Sequence, residues 1–155
     1  RMPRVVHIRV CIQSQTMELW QDETLLKTYP VSTSKFGTGT EEGSFKTPLG
    51  HFLVCEKFGD RVPRLTTFQS RQPVGEWNPD EPGEEDLVVA RILRLDGQDE
   101  ENGNSYQRFI YVHGTNHEDL IGTPASQGCV RMKIDDVIGL YELVPLNTAV
   151  QITPG

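Results

Sequence analysis

The chain has 155 residues, a formal net charge of −7 and 36% apolar residues, which suits one domain able to bury roughly 68–70% of its unfolded surface without disulfides or metals. The acidic balance and the scatter of Lys and Arg argue against a nucleic-acid footprint, and no stretch approaches the ~20 apolar residues of a membrane span. Cys11, Cys55 and Cys129 are an odd number at no metal-like spacing, so at least one thiol is free.

The N-terminal Arg-Met-Pro-Arg lacks the apolar segment of a signal peptide, so the chain is expected to be cytosolic or to have lost a targeting segment before Arg1. Val5 to Ile12 alternate and are rich in Val and Ile, Gln13 to Thr16 form a polar turn, and Met17 to Trp20 resume the apolar pattern. This reads as a β-hairpin. After a second polar turn, Gln21 to Thr24, the segment Leu25 to Val31 adds a third strand of an antiparallel meander. Lys35 to Gly50 contain Gly37, Gly39, Gly43 and Gly50, a loop that turns more than once but lacks the Gly-Lys-Ser/Thr of a phosphate loop. His51 to Phe58 read as the next strand.

Gly59 to Asp86 show little periodicity, four prolines and an acidic run, and are expected to be a long loop, either a lid or a solvated insertion. Phe68 and Trp77 within it need something to pack against. Leu87 to Leu95 form a strand, Asp96 to Ser105 its turn, and Tyr106 to His113 the partner strand, with Phe109, Tyr111 and His113 on one face. Asp135 and Asp136 read as the cap and first-turn acid of a short helix through about Leu143, which Pro145 ends. Thr148 to Ile152 supply the last strand.

Chemistry concentrates between Tyr111 and Met132. A free thiol has a pKa of ~8.5 and needs a base or cation to act as a nucleophile. His113 is the candidate base for Cys129, and Arg131 adds charge nearby. Gly128 permits a tight turn whose N–H groups at Gly128 and Cys129 form a candidate oxyanion hole, with Ser126 holding the turn. The plainer readings are core packing for Cys129, a structural role for His113, and core packing for Cys11 and Cys55. A zinc site from His113, His117 and Cys129 is the chemical competitor, disfavoured because Gly114 and the preceding strand make the helix that would align the two histidines implausible.

His113-Gly114, followed by Ser126-Gln127-Gly128-Cys129-Val130-Arg131, resembles the signature of the L,D-transpeptidase catalytic domain, the YkuD-type domain of bacterial cell-wall enzymes. That signature is a His-Gly, a spacer of about this length, then Ser/Thr-His-Gly-Cys, an apolar residue and Asn or Arg. The likeness extends through Val31 to Ser34, Gly43 to Gly50 and Ile110 to Thr115. It implies a mainly β fold, a mixed sandwich or barrel with one or two short helices, forming a single catalytic domain over 1–155 with an insertion at about 59–86. It also implies that Cys129 attacks the carbonyl between the third and fourth residues of a peptidoglycan stem tetrapeptide. The terminal D-alanine leaves, and the thioester passes to an amine of another stem or of a cell-envelope protein. On the same resemblance His113 is the base, the Gly114 carbonyl orients its ring, and Gly128 belongs to the catalytic turn. Arg131, Ser126, Gln127, Tyr111 and Thr115 contact substrate, with an acidic neighbour as the alternative partner of Arg131. No metal or organic cofactor is implied, carbapenem-type inhibitors would acylate the thiol, and a monomer in the periplasm or cell envelope is expected. Gln127 departs from the family histidine and cannot serve as a base, though its amide can still support the turn. Two alternatives stand beside transpeptidation: an L,D-carboxypeptidase or cross-link hydrolase using the same acyl-enzyme, and a catalytically silent peptidoglycan-binding domain.

Overall fold

A computed structural model describes residues 5–155, so the reading of the N-terminal tetrapeptide lies outside the described residues. The meander forms β1 (Val6–Cys11), β2 (Thr16–Gln21) and β3 (Thr24–Ser32). They are followed by β4 (Gly50–Phe58), β5 (Thr66–Gln69), β6 (Gln72–Glu76), β7 (Val88–Gly97), β8 (Tyr111–Thr115), β9 (Val130–Met132), α1 (Ile134–Leu143) and β10 (Ala149–Thr153). All ten strands belong to one mixed sheet in the order β4-β10-β1-β2-β3-β9-β8-β7-β5-β6. β4 also pairs with β7, which closes the strands from β4 round to β7 into a ring and leaves β5 and β6 as an appended hairpin. Closure removes the unpaired edges that an open sheet exposes, and on the remaining edge strand Pro73 withholds a backbone donor. This is the mainly β, mixed architecture expected from the sequence.

The alternation read along the chain sorts residues correctly: Ile8, Val10, Met17, Leu19, Val31, Phe52, Val54, Leu93, Leu95 and Val112 share one buried core. Ile134, Val137, Leu140 and Tyr141 of α1 join it. Four expectations are corrected. First, Gly59 to Asp86 is not structureless, because β5 and β6 form a hairpin within it; Phe68 pins the hairpin down against Ile92 and Tyr111. Second, Tyr106 to Phe109 do not extend a strand. The buried Asn102 accepts the Asp99 N–H and donates to the carbonyls of Leu49 and His51, and this segment coils through successive turns to Phe109, at φ 57°. Third, Cys11 and Cys55 are only partly buried, since they sit on the outward side of their strands.

Fourth, α1 starts before Asp135, its N-cap being Lys133 with no side-chain cap. The helix instead receives its capping acceptor from a distant residue: Glu118 Oε2 accepts the Ile134 N–H at 2.7 Å. A carboxylate on an otherwise unpaired first-turn donor stabilises a helix both as a hydrogen-bond partner and against the helix dipole. Glu118→Ala should therefore lower stability by about 1 kcal/mol in urea unfolding; an unchanged midpoint would show that water replaces the bond without cost.

Candidate active site

β8 and β9 run parallel, with Val112 opposite Val130 and His113 opposite Arg131. Because side chains alternate, the valines enter the core while Tyr111, His113, Cys129 and Arg131 share the opposite face. The three-residue β9 was not foreseen from the sequence, yet it is the element that sets Cys129 beside Tyr111. Cys129 is partly buried and packs against the Phe68, Ile92 and Tyr111 cluster. Its Sγ receives the Tyr111 N–H at 3.3 Å and donates to the Phe109 carbonyl at 3.3 Å. The protonated thiol is thus the form the structure accommodates. No hydrogen bond joins Sγ to the His113 ring among the described residues.

His113 is buried, and its Nδ1 lies 2.7 Å from the Gly114 carbonyl. A carbonyl only accepts, so Nδ1 carries the proton and Nε2 is left as a proton acceptor. Gly114 has no room for a side chain: a Cβ there would collide with the Val89 carbonyl oxygen and lie 3.1 Å from Val137 Cγ1. That close approach follows from the bulge of β7 between Val89 and Ile92, where Ala90 takes φ 77°.

The turn before Cys129 is held from several sides. Ser126 Oγ donates to the Cys129 carbonyl at 2.7 Å and accepts the Gly128 N–H at 3.2 Å. The Gly128 donor proposed for an oxyanion hole is therefore already engaged, which leaves the Cys129 N–H of the pair read from the sequence. Gly128 sits at φ 121°, and its carbonyl accepts from Thr47 Oγ1 at 3.0 Å. Thr47 ties the Gly-rich loop to the turn, and Arg108 braces that loop by donating to the carbonyls of Lys46 and Gly39. Between loop and turn opens a pocket of about 280 Å³ lined by Glu42, Phe45, Arg108, Phe109, Gln127 and Cys129 among others. A larger concavity of about 550 Å³ on the outer side of β1, β10 and β4 holds no thiol and lies away from this face.

Several expected substrate contacts take other roles. Arg131 is buried and donates to Asp86 Oδ1 at 2.6 Å, the acidic-neighbour alternative. Thr115 is fully buried, its hydroxyl accepting the His117 N–H. Ser126 is committed to the turn. Gln127 is exposed in the Cys129 pocket, and Tyr111 presents its hydroxyl to Arg71, 3.1 Å away. His113, His117 and Cys129 do not converge as ligands, and no metal-holding group of His, Cys, Asp or Glu occurs among the described residues. Arg108, Thr47 and Asp86 were missed. Asp86 was visible only as one of an acidic run, and nothing in a lone Arg or Thr marks it as a brace.

Burial pushes the Cys129 thiol up to about 11, against the Tyr111 N–H, which favours the thiolate. Burial likewise lowers the His113 imidazole, against the Gly114 carbonyl and Asp86, which favour the charged ring. Both shifts favour a neutral thiol beside a neutral imidazole over an ion pair. At pH 7 such a thiol is only about one part in ten thousand thiolate. Alkylation of Cys129 by iodoacetamide, followed by peptide mass mapping, should therefore climb roughly tenfold per pH unit between about pH 7 and 10. Cys11, whose thiol the Ser14 hydroxyl holds below its ordinary value, should label first. A Cys129 rate already level at pH 7 would contradict the neutral assignment.

A profile of the L,D-transpeptidase catalytic domain, YkuD, matches residues 5–152. The YkuD relative of Bacillus licheniformis is 31% identical over 147 residues, covering 95% of this chain and 65% of its own length. The YqjB relative of Bacillus subtilis is 27% identical over 146 residues, covering 93% of this chain and 70% of its own. Thus the chain spans about two thirds of the length of these relatives. Among solved structures, an L,D-transpeptidase from Mycobacterium smegmatis superposes with a TM-score of 0.64 at 17% identity, over 97% of this chain and 59% of the other. By the fold and by this match over nearly its whole length, the chain belongs to the L,D-transpeptidase catalytic domain family.

Proposed function

We propose that this domain catalyses acyl transfer on peptidoglycan stem peptides through a Cys129 thioester, forming cross-links between third residues or attaching a protein amine. The observation that carries the reading is the placement of a thiol on a pocket wall, on the same sheet face and one strand from a histidine whose Nε2 is the free acceptor. The S–H proton passes to His113 Nε2 as the sulfur adds to the carbonyl between stem residues three and four. The Cys129 N–H meets the oxyanion that forms. When the tetrahedral intermediate collapses, the same imidazolium returns the proton to the departing amine of the terminal D-residue. An incoming amine then attacks the thioester, His113 again takes its proton, and as the C–S bond breaks the imidazolium returns that proton to the Cys129 sulfur. For this path the S–H must turn from the Phe109 carbonyl toward His113.

Among fold relatives, L,D-transpeptidase 3 of Mycobacterium tuberculosis was solved with a faropenem-derived adduct and the L,D-transpeptidase LdtMt1 in complex with imipenem, which makes a carbapenem the natural probe for an acylated thiol in this chain. Peptidoglycan as substrate places the domain in the cell envelope. No helix among the described residues is long and apolar enough to cross a membrane.

Incubation with a disaccharide tetrapeptide should yield cross-linked dimer. Tripeptide alone would mean that water takes the acyl group, and neither product, together with no carbapenem mass on Cys129, would mean a silent binding domain. Cys129→Ala should abolish adduct and turnover. Gln127→His should alter turnover by less than roughly tenfold, since Gln127 is exposed and His113 already supplies the base; a gain of several orders of magnitude would relocate the base.

A further inference from the structure

The hairpin that the sequence concealed carries an arginine where its backbone favours glycine. Ser70 and Arg71 link β5 to β6 with φ of 49° and 67°. Two positive φ values define the tight hairpin turn that Asn-Gly fits best, so an arginine at the second position is held against its backbone preference. Such a residue invites a functional explanation when its side chain is placed to act. The Arg71 guanidinium folds back onto the site: Nη1 donates to Tyr111 Oη at 3.1 Å, and the group lies 5.3 Å from the centre of the Phe109 ring. Tyr111 and Phe109 are the two residues whose backbone groups hold the Cys129 sulfur.

The other arginines around the site each already hold a partner, and the nitrogens that Arg131 and Arg94 leave without one are buried. Arg131 is bound to Asp86, Arg94 to Glu56, and Arg108 to backbone carbonyls. Arg71 enters no salt bridge among the described residues; Glu56, close enough to influence it, already accepts from Arg94. Its side chain is partly exposed, and most of its N–H donors are left for a ligand. With one nitrogen fixed by a phenol and one side of the plane near a ring, the guanidinium is oriented as a fork. A planar fork of this kind recognises a carboxylate.

We propose that Arg71 is a specificity-determining residue that receives a free carboxylate of the peptide acylating Cys129, an assignment that rests on the acyl-transfer reading above. Two carboxylates of such a peptide share this chemistry: the C-terminal group on the residue that leaves, and a side-chain group on the residue that stays.

The test compares full-chain wild type, Arg71→Gly and Arg71→Lys on a synthetic tetrapeptide with both carboxylates free, its C-terminal amide and its side-chain carboxamide. Iodoacetamide labelling of Cys129 and thermal unfolding serve as controls. Glycine relaxes the turn, so Arg71→Gly should fold at least as stably as wild type while its KM for the free peptide rises roughly ten- to hundredfold, as expected for a lost charge-assisted fork. The effect should fall on KM, with kcat little changed, and Arg71→Lys should recover part of it. Wild type should discriminate against one of the two amides by a similar factor, and Arg71→Gly should not; that amide identifies the carboxylate. Wild-type turnover with equal KM for all three peptides, or an unchanged KM in Arg71→Gly, overturns the assignment alone. No wild-type turnover on any peptide, with Cys129 still labelled, overturns the acyl-transfer reading and the assignment with it.

Discussion

One short hydrogen bond, from His113 Nδ1 to the carbonyl of the next residue, decides what the site can do. It fixes the ring without recruiting an acidic partner and leaves Nε2 as the acceptor. Local as it is, the bond depends on the whole sheet. Gly114 must turn its carbonyl to the ring while its α-carbon approaches the Val89 carbonyl more closely than any side chain permits. The β7 bulge that creates this approach is held in turn by pairing to β4, β5 and β8.

The electrostatics follow from the same burial. An ion pair between thiolate and imidazolium would place one charge on a buried ring and the other on a partly buried sulfur with a single backbone donor among the described residues. The neutral pair needs none of that compensation. Arg131 and Asp86 lie on this face, but they are bound to each other, so their effects on His113 and Cys129 oppose one another. Deprotonation then belongs to the reaction step, when the developing charge on substrate is also present to be stabilised.

Much of this was legible in the residues. Alternation located the meander, β4, β7 and β10, because each buries one face and leaves the other in solvent. The signature residues located His113 and Cys129. What escaped was short or depended on contacts distant in sequence. β9 is only three residues and exists because β3 and β8 flank it. The strand expected from Tyr106 fails because Asn102, a polar residue with no periodic signal, satisfies backbone groups across two segments. The hairpin of β5 and β6 was hidden by Pro73, Gly75 and polar side chains, all compatible with an edge strand yet typical of loops. Arg131 shows the limit most plainly: its residue type fits a substrate carboxylate, but the sequence does not say that Asp86, 45 positions earlier, already occupies it.

Nitrogen-15 NMR of the His113 ring in the resting domain tests the central claim most directly. The account predicts at pH 7 a neutral imidazole protonated at Nδ1 and bare at Nε2, with the charged form appearing only below the ordinary histidine value of ~6.5. A ring protonated at both nitrogens at pH 7, or carrying its single proton on Nε2, would contradict it.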